Sequence, residues 1–149
     1  MKFEKEIQQE KFRSAQQKAT LNLLFTCNWL NNQHKDFFKE FGLTPQQYNV
    51  LRILRGQFPD SISTSDIKVR MLDKNSDASR IVDRLTLKGW VSKCTSPQDR
   101  RLVDVLITED GLELLERMDS HTDQLDQTIG LTEDEADQLN QLLDKVRVE

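Results

Sequence analysis

The periodicity of the apolar residues changes directly after Gly89, from the spacing of a helix to that of a strand. Before this point, apolar residues recur every three or four positions, which is typical of helices with one buried face. The segments 90–95 and 102–107 instead show strand-like patterning, and the polar segment 96–101 connects them. The chain of 149 residues is therefore predicted to be mainly α, with a small β-hairpin.

Glycines and capping residues divide the rest of the chain into helices. A Ser, Thr or Asp that can accept a backbone N–H is a usual start, and a Glu or Gln three positions later strengthens the signal. A Gly directly after an apolar stretch indicates the end of a helix. These signals predict helices over residues 5–41, 44–56, 63–71, 73–88, 109–129 and 132–147.

Two short helices joined by a tight turn stand directly before the hairpin. This order is that of a winged helix-turn-helix, in which the second short helix lies in the major groove of DNA. Arg80 is placed to pair with guanine, and Arg84, one turn later, to contact a phosphate. For Asp77 two interpretations stay open, reading of cytosine or repulsion of wrong sequences. The residues predicted to face DNA here are Lys74, Asn75, Ser76, Asp77, Ser79, Arg80 and Arg84.

The charge of the chain is distributed unevenly along its length. The net charge of −4 argues by itself against binding to nucleic acid. Residues 68–101, however, carry nine Lys and Arg against four Asp and Glu, whereas residues 102–149 carry three against fourteen. Because phosphate contacts depend on the local field, the middle segment is predicted to face DNA and the acidic segment to point away from it.

The hairpin tip adds two further cations, Arg100 and Arg101. Arginines at such a tip are of the kind that enters a narrow minor groove. The alternative for any one arginine is a solvated surface charge, paired with a carboxylate such as Asp77 or Asp83. The ordered set of arginines on the helix and the hairpin favours DNA binding.

The order and spacing of these segments resemble those of the MarR family of bacterial regulators. The resemblance rests on SRIVDRL at 79–85, KGWV at 88–91, DRR at 99–101 and ITEDG at 107–111. It covers about residues 20–146, with an isoleucine where the family usually has leucine at the start of the last of these motifs.

The resemblance implies a homodimer that binds double-stranded DNA. It also implies that Arg101 is the minor-groove arginine of the wing and that Asp99 holds it in place. The implied division is 5–41 and 109–147 for dimerisation and 44–107 for the winged helix-turn-helix, within a single domain of residues 1–149.

The sequence does not indicate a catalytic or metal site. His34 and His121 are far apart, and no zinc-binding helix motif, phosphate-binding glycine loop or nucleophile turn is present. Cys27 and His34 lie two turns apart on one apolar stripe, which favours core packing over metal binding. We therefore expect no enzymatic activity and no cofactor. Two cysteines are too few for a disulfide framework, so we expect a reducing cytoplasm. The sequence has no long apolar segment and no signal peptide, so we expect no membrane anchor.

The resemblance also implies a small-molecule effector, bound where the dimer helices meet the winged domain. An aromatic wall with polar groups suits such a pocket, and the alternative is ordinary dimer core. The candidate residues are Phe25, Asn28, Trp29 and His34. Apolar neighbours predict a buried, unreactive thiol at Cys27, whereas Cys94 on the first wing strand is expected to be more exposed.

Two functions from different classes are consistent with this fold. One is a DNA-binding transcriptional regulator, and the other is a helical protein-interaction module that has lost DNA binding. Arg101 and the basic segment 68–101 favour the regulator, because an interaction module has no need of a basic wing.

Overall fold

The computed structural model describes residues 1–147, so the last two residues of the predicted domain 1–149 lie outside the described part. It is mainly helical with one small antiparallel sheet, as the sequence predicts. No helix among residues 1–147 has the length and apolar character needed to cross a membrane. The elements are α1 (Phe3–Glu6), α2 (Ala15–Lys39), α3 (Pro45–Gln57), β1 (Ile62–Ser63), α4 (Thr64–Arg70), α5 (Ala78–Leu87), β2 (Val91–Thr95), β3 (Val103–Ile107), α6 (Glu109–Asp119), α7 (Asp123–Gln127) and α8 (Glu133–Val146).

Three of the helices begin at their predicted capping residues. Thr44 Oγ1 accepts the N–H of Gln47 at 3.1 Å, and the Gln47 side chain accepts the N–H of Thr44 at the same distance. This reciprocal pair is the capping box that the sequence predicts for α3. Thr132 and Glu135 form the same box at the start of α8, and Ser63 caps α4. The local sequence therefore determines where these helices start.

The sheet has the strand order β1, β3, β2, with both pairs antiparallel. β2 and β3 form the predicted hairpin, in which Val91 lies opposite Ile107. The sequence does not predict β1, because two residues are too few to show an alternating pattern. Ile62 of β1 lies opposite Val105 of β3, so the connection between α3 and α4 is held against the wing.

Buried apolar side chains from α3, α4, α5, α6 and the sheet form one core. Full burial of a Leu or Ile side chain contributes roughly 1.5–3 kcal/mol relative to exposure. The burial of one side of α5 in this core also determines which of its residues are exposed. Core residues with at most 1% exposure include Leu51, Leu54, Ile67, Val82, Leu85, Val105 and Leu115.

The prediction of one helix over 5–41 is wrong at its start, because the chain forms two helices there. Ser14 caps α2 with its side chain, and Gln8 in the preceding connection has a positive φ of 53°. The ring of Phe3 packs against Phe25 with centroids 5.7 Å apart. The segment before α2 therefore folds back on this helix instead of continuing it.

The prediction of one helix over 109–129 is also wrong, because α6 ends at Asp119 and the short α7 follows. Ser120 Oγ donates to a carbonyl three residues earlier at 3.0 Å, and Thr122 Oγ1 donates to the carbonyl of Asp119 at 2.9 Å. Such hydroxyls compete with the backbone bonds of a helix. Arg55 of α3 donates to both carboxylate oxygens of Asp119, at 3.1 and 2.9 Å, which attaches the end of α6 to the core.

Rows of apolar side chains remain exposed on α8 and α2. On α8, Leu139, Leu142 and Val146 are 38%, 62% and 62% exposed, and their spacing places them on one face. On α2, Leu23 and Leu24 are 41% and 59% exposed. On each of these helices, apolar side chains therefore remain uncovered by the rest of residues 1–147.

We predict opposite effects for two Gly-to-Ala substitutions. A Cβ at Gly111 of α6 would lie 2.3 Å from the Trp90 carbonyl oxygen and 2.7 Å from the Ile107 side chain, whereas a Cβ at Gly56 of α3 would have no atom within 4 Å. Gly111→Ala should lower the free energy of unfolding by about 2–3 kcal/mol through overpacking. Gly56→Ala should raise it by about 0.5–1 kcal/mol, because alanine loses less entropy in a helix. Urea unfolding measures both, and equal tolerance of the two changes would contradict the close packing at Gly111.

Candidate nucleic-acid interface

The helix α5 begins at Ala78, later than its predicted start, because Asp77 is its N-cap. Asp77 Oδ1 accepts the N–H of Arg80 at 3.1 Å. The residues before the cap form a turn, in which Asp73 Oδ1 accepts the N–H of Asn75 at 2.9 Å. The structure therefore gives Asp77 a helix-capping role, which was not among the two interpretations of the sequence.

One side of α5 faces the core and the other is exposed. Ser79, Arg80 and Arg84 are exposed, at the start of the helix and one turn later. The side chains on the opposite side are Ala78, Val82 and Leu85, which are buried. The structure thus brings three of the predicted contact residues together on one accessible helix surface.

The turn before α5 separates the remaining predicted contact residues. Lys74 and Asn75 are exposed, whereas Ser76 is only 7% exposed. The ammonium group of Lys74 donates to the carbonyl of Val69 in α4, which links the turn to the first helix of the pair. Ser76 does not share the open surface predicted for it and lies in the wall of a groove.

Asp99 fixes the guanidinium group of Arg101 at the tip of the wing. Arg101 Nε and Nη2 each donate to an oxygen of the Asp99 carboxylate at 3.1 Å, and the Arg101 N–H donates to Asp99 Oδ1 at 3.0 Å. The side-chain bond, followed by the backbone bond, lowers the pKa of Asp99 below its usual value. The Arg101 side chain is nevertheless 89% exposed. The wing therefore presents an oriented and accessible cation.

The carboxylates considered as surface partners of the arginines are used elsewhere. Asp83 forms an ion pair with Lys93 of β2, and Asp77 caps α5. Among residues 1–147, Arg80, Arg84 and Arg100 take part in no ion pair. Their exposed guanidinium groups are therefore available to an external anion.

A groove of about 420 Å³ lies where the first turns of α3 and α5 meet, and we call it the interhelix groove. Thr44 and Gln46 are not among the residues predicted from the sequence, because they are distant from α5 along the chain. No local pattern indicates that the starts of these two helices converge. The groove is lined by Thr44, Gln46, Asp73, Ser76, Asp77, Arg80 and Arg84, among others.

The four predicted effector residues are not brought together in one site. Phe25 and Trp29 line a cavity of about 370 Å³ beside the N-terminal segment. His34 packs instead against Phe38, with ring centroids 6.2 Å apart, and burial lowers the pKa of His34. Asn28 is exposed. His34 lies nine positions after Phe25, which corresponds to about 180° around an α-helix and explains the separation.

A second groove lies where α2 meets the start of α3, and we call it the junction groove. It is lined by Cys27, Asn31, Lys35, Lys39, Leu43, Pro45 and Leu72, among others. Cys27, Asn31, Lys35 and Lys39 of α2 are four positions apart, and this spacing in the sequence already indicates that they share one face of the helix. The predicted burial of Cys27 is wrong for the protomer, because no element within residues 1–147 covers this side of α2. Cys27 is exposed, with Sγ 3.7 Å from Asn31 Nδ2, and Cys94 is exposed as predicted.

The two histidines lie in separate environments, His34 against Phe38 and His121 against Phe41. In the described part of the chain, no group of three or more His, Cys, Asp or Glu side chains is placed to hold a metal ion. At the interhelix groove the structure brings together cations, hydroxyls and two helix starts, which suit recognition of an anion, beside the carboxylates of Asp73 and Asp77.

Known proteins resemble this chain in both sequence and structure. The profile described as the MarR family matches residues 41–102. The chain is 34% identical over 131 residues to the HTH-type transcriptional repressor IacR of Pseudomonas putida, which covers 82% of this chain and 77% of that protein.

Two solved structures extend this similarity. A mutant of MarR from E. coli, complexed with operator DNA, is 30% identical with a TM-score of 0.73, covering 85% of this chain and 92% of that one. The second is BpsR of Bordetella bronchiseptica, a protein whose DNA binding is regulated by 6-hydroxynicotinic acid. It is 27% identical with a TM-score of 0.67, covering 85% of this chain and 99% of that one.

Proposed function

This chain belongs to the MarR family, and we propose that it acts as a sequence-specific, DNA-binding transcriptional regulator. The relative IacR is named a transcriptional repressor, and MarR was solved with operator DNA. In this proposal α5 is the recognition helix, the hairpin of β2 and β3 is the wing, and the regulator acts in the cytoplasm. The proposed contact residues are those of the predicted set that are exposed and do not serve as a cap or a clamp: Lys74, Asn75, Ser79, Arg80, Arg84, Arg100 and Arg101.

The observation that carries this proposal is the fixed but exposed guanidinium group of Arg101. Ordering a long surface side chain costs conformational entropy, and an exposed ion pair contributes little stability in return. The arrangement is explained if Arg101 enters a minor groove, where a narrow groove has an enhanced negative potential. Asp99 then sets the direction of the guanidinium group before DNA is bound.

We further propose that the regulator is a homodimer. The exposed apolar rows of α2 and α8 require a cover, and a second copy of the chain supplies one through a two-fold interface. The helices α1, α2 and α6–α8 would form the dimerisation region, with the segment from α3 to β3 as the winged helix-turn-helix. Two-fold symmetry then requires an operator that is an inverted repeat, with half-sites about 10 bp apart between centres.

Light scattering at micromolar concentration should give about twice the chain mass of 17.4 kDa. Leu142→Asp, in the exposed row of α8, should produce monomers, because it would place a carboxylate in an apolar interface. Leu87→Asp is the matched control, since Leu87 of α5 is 88% exposed and lies outside this row. A monomeric wild type, or a dimeric Leu142→Asp variant, would contradict the proposed interface.

Arg80→Ala and Arg101→Ala should weaken DNA binding in different ways. Loss of Arg80 should cost about 1–3 kcal/mol and relax the preference at one position in each half-site, because it removes a base contact. Loss of Arg101 should weaken binding to all sequences and reduce its dependence on salt, because it removes a minor-groove cation. Fluorescence anisotropy with a footprinted operator fragment and its single-base variants distinguishes the two patterns.

The control for this experiment is Arg117→Ala, which removes an exposed arginine from α6. Its affinity and salt dependence should equal those of the wild type. The assignments of Arg80 and Arg101 would be reversed if Arg80→Ala weakened all sequences equally while Arg101→Ala changed one base preference.

We also propose that a small organic anion binds in the junction groove and releases the DNA. Lys35 and Lys39 provide positive charge there, and Leu43 and Leu72 provide an apolar wall. The similarity to BpsR supports the proposal, since the 6-hydroxynicotinic acid that regulates DNA binding by BpsR is an aromatic carboxylic acid. The cavity at Phe25, with its neighbour Trp29, is the competing site.

The probe for this site is 6-hydroxynicotinic acid, with 6-hydroxynicotinamide as its neutral control. The acid, and not the amide, should slow alkylation of Cys27 by iodoacetamide and weaken DNA binding, because the carboxylate pairs with lysine. Lys35→Gln should abolish both effects, whereas Trp29→Ala should retain them. The reverse result, with loss only in Trp29→Ala, would move the effector to the cavity at Phe25.

A further inference from the structure

The hydroxyl group of Ser76 is buried without a partner. Within residues 1–147, Ser76 Oγ makes no hydrogen bond. Its side chain is 7% exposed and lines the interhelix groove. A buried hydroxyl that makes no hydrogen bond destabilises a protein, so its presence calls for a ligand that supplies the missing bond.

The start of α3 contributes an unpaired N–H to the same groove. Of the first backbone N–H groups of α3, that of Gln47 is bound by Thr44 Oγ1 and that of Tyr48 by the Thr44 carbonyl. Pro45 has no N–H, and the N–H of Gln46 makes no hydrogen bond within the described chain. The positive end of the α3 helix dipole therefore meets the groove at a residue with a free donor.

We propose that the interhelix groove binds one phosphate of the DNA backbone in each half-site. This inference rests on the proposed function and adds a contact from α3 to those of α5 and the wing. The Ser76 hydroxyl and the Gln46 N–H donate to the phosphate oxygens, and Arg84 supplies the charge. A phosphate held by two helices fixes the register of α5 on the duplex, because backbone contacts position a protein and base contacts select sequence.

Two carboxylates also line the groove and must be compatible with an anion. Asp77 Oδ1 is bound by the N–H of Arg80, and Asp73 Oδ1 is bound by the N–H of Asn75. Both carboxylates are thus engaged by backbone donors of the turn. Two guanidinium groups, those of Arg80 and Arg84, line the groove beside these two carboxylates and are not paired with them in residues 1–147, so Arg84 is available to a phosphate. The start of α3 and the Ser76 hydroxyl add hydrogen-bond donors for the same anion.

The first test is the stability of the free protein. Ser76→Ala removes a hydroxyl that has no partner, so its melting temperature should equal or exceed that of the wild type. A clear decrease would show that the hydroxyl is satisfied within the folded protein and would overturn the proposal.

The second test compares two Gln-to-Glu substitutions at equivalent helix positions. Gln46 is the second residue of α3 and Gln16 is the second residue of α2, and each follows a side-chain cap. A carboxylate suits both helix starts, so both variants should fold. Gln46→Glu should weaken operator binding about tenfold per half-site by repelling the phosphate, whereas Gln16→Glu should stay within about twofold of the wild type. Equal affinities for the two variants would overturn the proposal.

The third test identifies the phosphate by a double-substitution cycle. Neutral methylphosphonates replace the phosphates of the operator one at a time, and each duplex is titrated with wild type, Ser76→Ala and Arg84→Gln. At one position in each half-site, the loss of binding free energy caused by the methylphosphonate and the loss caused by the protein substitution should not be additive. Arg84→Gln should also reduce the slope of log affinity against log salt concentration by about 0.9 per half-site. Additive losses at every position would overturn the proposed phosphate site without affecting the proposal that the protein is a DNA-binding regulator. If the wild type bound no duplex, both proposals would be overturned.

Inorganic phosphate is the other source of the same chemistry. Millimolar phosphate, compared with chloride at equal ionic strength, should leave the melting temperature of the wild type unchanged, because a single free anion lacks the other contacts of a duplex. The opposite result would be a melting temperature that rises with phosphate in the wild type but not in Gln46→Glu, together with additive losses of binding free energy in the double-substitution cycle. That result would assign the groove to free phosphate and overturn the assignment to a DNA phosphate.

Discussion

The arrangement of the chain depends on the hydrogen bonds of Thr108, at the junction between the wing and α6. Its N–H donates to the carbonyl of Trp90 at 3.1 Å, and its hydroxyl donates to the carbonyl of Gly89 at 2.7 Å. The same hydroxyl accepts the N–H of Gly111 at 3.2 Å. The end of α5, the start of β2 and the first turn of α6 therefore meet at one side chain. Since Gly111 lies directly against the Trp90 carbonyl, α6 leaves the sheet in one direction, and the helices after it are oriented relative to α5.

Acidic residues within the basic segment organise the backbone. Asp77 starts α5, Asp73 holds the turn before it, and Asp99 holds both the backbone and the side chain of Arg101. In each case a carboxylate accepts a backbone N–H two or three residues later, a pattern in which short acidic side chains are favoured. The surface therefore keeps its positive charge on long, exposed side chains, while the negative charge is engaged close to the backbone.

The sequence predicted those features that depend on neighbouring residues. The start of α3 at Thr44 and the hairpin were predicted correctly because a cap and a change of period are local signals. The break at Ser14 was missed because no Pro or Gly marks it, and the break at Ser120 was missed because apolar residues continue on both sides of it. The burial of Ser76 and the meeting of two helix starts were missed because they depend on tertiary packing, which no local pattern contains.

The two grooves of the protomer have part of their walls in common. Thr44, Gln46 and Asp73 line both the interhelix groove and the junction groove. A displacement of this shared wall by a molecule in one groove changes the shape of the other, with no path through the core. Linkage between the two grooves is reciprocal: the factor by which a bound effector lowers the affinity for DNA equals the factor by which bound DNA lowers the affinity for the effector. A dimer bound to its operator would therefore need a higher effector concentration than the concentration that saturates the free dimer. The effector concentration at which the protein responds is thus set in part by whether the operator is occupied.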